Sequence, residues 1–275
     1  MKKVRADVLL VEKGYFESRE QAKRSIMAGL VYADDEPVDK PGAKIDSTAL
    51  IRVKGETHPY VSRGGLKLEK AIASFGLSFQ NKIVLDIGAS TGGFTDCALQ
   101  HGAKLVYAVD VGYNQLAWKL RNHKQVEVME RYNFRYASKE DFTKGKVEIA
   151  VADVSFISLK LLLPPLCELL TNDADVCLLI KPQFEAGKEK VGKKGIVRNA
   201  DVHVEVISDI VTFSSQLQFV PWGLDYSPIT GGDGNIEYLF HAKWLPKNTV
   251  TSAFSITNIP EIVRAAHRHH YHERG

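Results

Sequence analysis

The sequence predicts a doubly wound α/β sheet behind a small α+β module, and three observations predict it. From Ser62 onward, short apolar runs alternate with helix-like patterns, as buried parallel strands and their crossovers do. One run, Ile83 to Ile87, passes straight into the glycine-rich turn Gly88 to Gly93, the arrangement at which open α/β sheets receive nucleosides. The first 57 residues show instead two short capped helices followed by small strands. A chain of 275 residues has room for both units.

In the front module, Val8-Leu9-Leu10-Val11 reads as a short helix that Gly14 stops. Ser18 is the N-cap of a second helix, with Gln21 at the capping-box position. Ala22, Ile26 and Ala28 make its apolar stripe, and Gly29 its C-cap. Val31, Val38 and the run Leu50 to Val53 supply short strands. So small a unit has a marginal core. Arg19 and Lys23 stand at i and i+4 beside Arg24. That face suits a phosphate backbone, and with Glu17 and Glu20 it also suits plain solvation, the simpler reading on charge alone.

Arg5-Ala6-Asp7-Val8-Leu9-Leu10, Gly14, Ser18 to Ala22, Ile26, Gly29 and Val31 resemble the RNA-binding domain of ribosomal small-subunit protein four, over most of residues 4 to 54. The resemblance implies that Arg5, Arg19, Lys23 and Arg24 meet structured RNA. One departure is Ala33-Asp34, where that pattern often has an Asn-Gly-type turn.

His58-Pro59-Tyr60-Val61 reads as a linker, Pro59 being a natural break. Beyond it, strands are expected at 83–87, 105–109, 126–128, 147–152 and 176–180. Helices are expected over 94–99, 116–121 and 157–170. The runs 217–226 and 236–244 have no helix between them and suit an antiparallel hairpin.

The turn after Ile87 lacks the G-x-G-x-x-G register of a dinucleotide site. Asp86, just before it, would repel a pyrophosphate and welcome a cationic methionine moiety. Asp110 ends the next strand, where a carboxylate accepts hydrogen bonds from ribose hydroxyls. A tight turn without ligand is the plainer alternative; two carboxylates at strand ends and three glycines argue against it. Asp86-x-Gly88-x-x-x-Gly92-Gly93-Phe94 resembles motif I of class I S-adenosylmethionine methyltransferases, nearest the FtsJ type. That implies a Rossmann-like sheet with S-adenosyl-L-methionine as cofactor. Asp86, Gly88, Ala89, Ser90, Gly92, Gly93, Phe94, Asp110 and Asp153 would surround it, and Asn133 and Phe134 would lie near adenine.

Lys67, Asp153, Lys181 and Glu237 are charges in structured or apolar contexts, Asp153 and Lys181 at strand ends. Each alone is an ordinary salt-bridge partner or snorkelling side chain. Together, in order and context, they resemble the Lys-Asp-Lys-Glu set of FtsJ-type ribose 2′-O-methyltransferases. The chemistry is coherent, because a ribose hydroxyl is a poor nucleophile until its proton is removed or weakened. Lys181 is the candidate base, provided that Lys67 and partial burial lower its pKa against the upward pull of Asp153 and Glu237. No metal is needed.

Over residues 1 to 245 the chain resembles the TlyA family, through the front module, Ser62-Arg63-Gly64-Gly65, Asp153 to Ser158 and Gly231 to Asn235. The resemblance implies 2′-O-methylation of ribosomal RNA at cytidine, with ribosomal subunits as partners. The linker has Tyr60 as its aromatic residue and His58 where that family commonly has arginine. The expected organisation is an RNA-binding domain 1–57, linker 58–61, methyltransferase domain 62–245 and extension 246–275. Arg63 and the basic loop Gly187 to Arg198, with Lys188, Lys193 and Lys194, are candidate RNA contacts. A solvated flexible loop explains the latter equally well. The tail His267 to His272 suits a frayed basic terminus better than a metal site.

The net charge of +3 and pI of about 8.6 permit an RNA partner without requiring one. Cys97, Cys167 and Cys177 lack metal or redox spacing and suit a reducing compartment. The front end has no apolar signal core, and the greasiest stretch, 157–170, is broken by Lys160 and Pro164-Pro165. It falls short of the roughly 20 apolar residues of a membrane span. A cytoplasmic location is expected. These features oppose a membrane-lysing toxin, which the haemolysin label of some TlyA members suggests. The presence of Lys181 and Asp153 opposes a non-catalytic RNA-binding factor.

Overall fold

The computed structural model describes residues 3–13, 15–16, 18–54, 58–231, 234–246 and 254–272. Gly14, Glu17, Gly232 and Asp233, to which the sequence reading assigned a helix stop, a charge and part of a motif, lie outside them. The chain divides into two compact units, Met1–Thr57 and His58–Gly275.

The first unit runs β1 (Lys3–Arg5), α1 (Ala6–Glu12), α2 (Arg19–Met27), β2 (Val31–Ala33), β3 (Glu36–Pro37), β4 (Lys44–Asp46) and β5 (Ile51–Val53). The Ser18 hydroxyl caps α2 by accepting from Gln21 N. Leu9, Leu10, Ala22, Ile26, Val31 and Ile51 form the core. Ala28, expected in the stripe, is instead the exposed C-cap. The β2–β3 turn forms without glycine. Asp34 and Asp35 both take left-handed φ, +51° and +66°, which Asp tolerates better than most residues. Asp34 accepts from Leu50 N and Asp35 pairs with Arg52, which holds them there.

The second unit adds α3 (Gly65–Phe75), β6 (Ile83–Ile87), α4 (Gly93–Gln100), β7 (Leu105–Val109), α5 (Trp118–Arg121), β8 (Val126–Met129), β9 (Val147–Ala152), α6 (Leu163–Cys167), β10 (Leu170–Ile180), α7 (Pro182–Glu185), α8 (Ala200–Gln216), β11 (Phe219–Tyr226), β12 (Tyr238–Trp244) and α9 (Ile259–His272). Its seven strands lie in the order β11-β12-β10-β9-β6-β7-β8, with β12 antiparallel to both neighbours. The expected hairpin is therefore β11–β12. Successive residues bury on opposite faces, Val84 with one core and Leu85 with the other, so the central strands read as continuous apolar runs. Strand order reverses at β6, between β7 and β9, which opens a crevice at their carboxyl ends.

Three expectations need correction. The helix expected over 157–170 is a 3-10 turn at Leu159–Leu161 and a short α6, and Leu170 already pairs with Val147. Pro164 and Pro165 fit the first turn of a helix, where no N–H is required, but not its interior. The helix expected over 116–121 is a single turn from Trp118. The histidine-rich tail is not frayed: Ile259, Val263 and Ala266 of α9 are fully buried, and α9 packs on α8 and β11. Among the described residues no group of three His, Cys, Asp or Glu is arranged to hold a metal. No helix in them is long and apolar enough to cross a membrane.

The α8–α9 contact carries a pH dependence. His203 is fully buried, with Nε2 2.9 Å from Val197 O and Nδ1 2.7 Å from the Tyr238 hydroxyl. Burial, with a smaller contribution from His267, lowers it to about 4. The unfolded chain, with a histidine pKa near 6.5, therefore binds the extra proton first. Stability present above pH 6.5 is lost as pH falls toward 4, by roughly 3 kcal/mol from this residue. Urea titrations at pH 7 and pH 4 should show that loss, and His203→Gln should reduce it. Equal losses in both proteins would count against this origin.

Candidate active site

Four charged side chains from separate elements meet at the carboxyl ends of the sheet. Lys67 stands in the first turn of α3, Asp153 just after β9, Lys181 between β10 and α7, and Glu237 just before β12. Strand register brings them together. Ile180 pairs with Tyr238 in antiparallel sense, so the next position sets Lys181 opposite Glu237. Ala152 pairs with both Ile87 and Leu178, so Asp153 leaves the sheet between β6 and β10.

Lys67 Nζ lies 2.6 Å from Glu237 Oε2 and 3.1 Å from Asp153 Oδ2. Lys181 Nζ lies 2.5 Å from Asp153 Oδ1, 3.2 Å from Ser155 Oγ and 4.0 Å from Glu237 Oε1. Lys67, Lys181 and Glu237 are buried, and Asp153 is one-fifth exposed. Two ammonium groups and two carboxylates cancel, which makes their burial tolerable. Burial alone would lower Lys67, but Asp153 and Glu237 outweigh it and raise the ammonium's pKa. Burial alone would raise Asp153, but Lys67 and Lys181 hold it below the usual carboxylate range.

Beside this cluster is a cavity of about 250 Å³, lined by Ser62, Gly64, Gly88, Ala89, Ser90, Thr91, Gly93, Phe94, Asp153, Ser155 and Lys181. A second, of about 600 Å³, shares Gly88, Ser90, Asp153 and Ser155. It continues past Asp110, Asn133 and Phe134, with Ile87, Val109, Val111 and Leu162 as apolar walls. Gly88 is required at their junction. Its φ is +83°, and a Cβ there would meet Asp153 O at 2.5 Å. Asp110 accepts from Ser90 N and Gly112 N, both at 2.7 Å, and each carboxylate oxygen keeps a second lone pair. One polar end beside the lysines and one apolar end with a carboxylate fit a nucleoside bearing a charged tail.

Two expected cofactor residues are placed otherwise. Asp86 is fully buried and lines neither cavity; one oxygen accepts from the Thr95 hydroxyl at 2.6 Å and the other is unpartnered. Burial pushes its carboxyl up to about 7, against the Thr95 hydrogen bond. It sits under the loop and ties β6 to α4. Gly92 also lines neither cavity; its φ is +100° and a Cβ there would strike Leu120 at 2.3 Å, so the position requires glycine.

The basic candidates are largely at the surface. Arg63, Lys188, Lys193 and Lys194 are exposed. In the first unit, Arg24 is exposed and Lys23 pairs with Glu20. Arg5 and Arg19 both grip the fully buried Asp7 yet stay about half-exposed. Sequence reasoning missed Ser62, Ser155 and the pair Phe156–Phe184. Small polar residues in the segments that carry Lys67 and Asp153 were the available signal for the serines.

The model of the FtsJ-like methyltransferase family matches residues 60–244, and that of the S4 domain matches residues 4–51. The chain is 40% identical over 266 residues to the 16S/23S rRNA (cytidine-2′-O)-methyltransferase TlyA of Mycobacterium tuberculosis, covering 96% of this chain and 97% of that one. The chain belongs to the TlyA family of FtsJ-like methyltransferases. A Bacillus subtilis (strain 168) relative, provisionally named rRNA methyltransferase YqxC, is 57% identical over 97% of this chain and 95% of its own length. A solved Streptococcus thermophilus structure with a provisional hemolysin label superposes with TM-score 0.80 at 52% identity, covering 100% of this chain and 99% of that one. This TlyA-family chain is thus a methyltransferase with an S4 RNA-binding domain at its front.

Proposed function

We propose that the chain transfers the methyl group of S-adenosyl-L-methionine to a ribose 2′-oxygen of ribosomal RNA, at cytidine, with Lys181 as the base. The observation that carries this reading is the meeting of Lys67, Asp153, Lys181 and Glu237 at the wall of the cavity that Gly88 to Ser90 shape. Similarity to the Mycobacterium relative supports the RNA, the ribose position and the cytidine.

The cofactor's part is a methyl already attached to a cationic leaving sulfur. Ser62, Gly88, Ser90 and Gly93 would hold its amino-acid end, Asp110 its ribose, and Asn133 and Phe134 its adenine. Lys181 must first release one proton from its ammonium; the amine then has two N–H donors and one lone pair. Asp153 and Ser155 take the donors, which leaves the lone pair for the ribose hydroxyl. The bound cofactor would supply the methyl group, its sulfur leaving with the bonding pair, and Lys181 would take the proton that the attacking ribose hydroxyl gives up. Asp153 and Glu237 then stabilise the ammonium. Lys67 pairs with both carboxylates and orients them.

Phe156 supports a seat for the target base. It is 90% exposed and tilts against Phe184 at 4.8 Å, where a flipped base finds an aromatic face. Arg5, Arg19, Lys23 and Arg24 would meet the RNA on the S4 domain, and Arg63, Lys188, Lys193 and Lys194 near the site.

The test is transfer of labelled methyl from S-adenosyl-L-methionine to ribosomal subunits or free rRNA, with mass mapping of the product. A ribose-methylated cytidine supports the reading. Label on a base, or no transfer by protein that binds the cofactor, overturns it.

A further inference from the structure

The segments leaving β9 and β10 each deliver one member of the Asp153–Lys181 pair, and a single carboxylate ties them together. Glu185 is the last residue of α7, four positions after Lys181. It accepts from Ser158 Oγ at 2.6 Å and from Leu159 N at 2.8 Å. Both donors belong to the segment that also carries Asp153, Ser155 and Phe156.

That segment does not rest in a relaxed conformation. Phe156 has a φ of +64° although it is bulky, and its side chain is almost wholly exposed. Backbone of this kind persists where its surroundings impose it. The imposing contacts are visible on α7: Phe184 lies against the Phe156 ring, and Glu185 grips the two residues that follow Ile157. Among the described residues no cation forms an ion pair with Glu185. A part-buried carboxylate that no cation contacts directly, Lys160 acting on it only through space, contributes little net stability. Its effect is geometric.

We propose that Glu185 is a positioning residue for methyl transfer. By clamping Ser158 and Leu159 it fixes the Ser155–Phe156 segment against α7, and so sets the Lys181–Ser155 contact of 3.2 Å. The catalytic consequence rests on the reading of Lys181 given above, whereas the clamp itself does not. A displacement of about 1 Å at such a contact costs on the order of a hundredfold in rate.

The test uses the full chain with Glu185→Ala, Glu185→Gln and Ser158→Ala. Glu185→Ala should lower kcat roughly ten- to a hundredfold, with cofactor Kd and the KM for RNA close to wild type. Glu185→Gln should restore most of kcat, because its amide oxygen accepts from Leu159 N while its NH2 donates to Ser158 Oγ. Amide hydrogen exchange at Leu159 should accelerate in the alanine variant and not in the glutamine variant. An unchanged kcat in Glu185→Ala, or a glutamine variant as slow as alanine, overturns the positioning role. If wild type transfers no methyl, the functional reading fails, and Leu159 exchange alone then decides the clamp. If Glu185→Ala does not fold, Ser158→Ala decides, with a several-fold fall in kcat expected and an unchanged kcat overturning the role.

Discussion

Lys181→Ala should lower methyl transfer by about two to four orders of magnitude, the range over which positioned general bases act. Cofactor affinity should hardly move. Asp153 keeps its contact with Lys67 at 3.1 Å in that variant, and Lys67 keeps Glu237 at 2.6 Å, so both carboxylates still have a partner although one ammonium now serves two. Initial rates with labelled cofactor and calorimetric titration of the cofactor measure the two quantities separately. Lys181→Arg sharpens the test. A guanidinium preserves the charge next to Asp153 but does not give up its proton near neutral pH. If the lysine acts as a base, arginine is as inactive as alanine. If it acts only as a positive charge, arginine retains much of the rate, and the assignment of Lys181 as base fails.

The legible part of this molecule is the part where function constrains local chemistry. Gly88 is readable because a Cβ cannot fit against Asp153 O, and Asp110 because it closes a strand beside that turn. Asp153 and Lys181 are readable because charge at a strand end stands out against apolar neighbours, and Lys67 and Glu237 through the order and context of the family's four-residue set. Their pairing was not readable. It depends on the β10–β12 register, which sets Lys181 opposite Glu237 across more than fifty residues of intervening chain.

Three of the overlooked helices share a different cause. The apolar positions of α3, α8 and α9 are spaced for helix but diluted by polar side chains that the fold buries, such as Lys67, His203 and His270. A tail rich in histidine reads as solvated until Ile259, Val263 and Ala266 are seen to face one side. Asp86 shows the converse error. Its position before a ligand loop suggested contact with a cation, yet strand alternation turns it beneath the loop, toward Thr95 of α4.

Asp153→Ala should be the most damaging substitution for stability. Asp153 serves two ammonium groups at once, Lys181 at 2.5 Å and Lys67 at 3.1 Å, and Glu237 alone would remain for both. Removing one partner of a buried ion pair costs about 3–5 kcal/mol, because the other charge stays out of water unpaired. Denaturant midpoints should fall accordingly, and methyl transfer should be lost as well. Whether the loss comes from uncompensated charge is decided by a second change. Replacing Lys67 with Met in the Asp153→Ala background leaves one ammonium, Lys181, and one carboxylate, Glu237. The double variant should therefore be more stable than Asp153→Ala alone, with a coupling of about 1–3 kcal/mol, while remaining inactive. Additive losses would mean that the two side chains contribute separately through packing, and that charge balance is not what holds the site together.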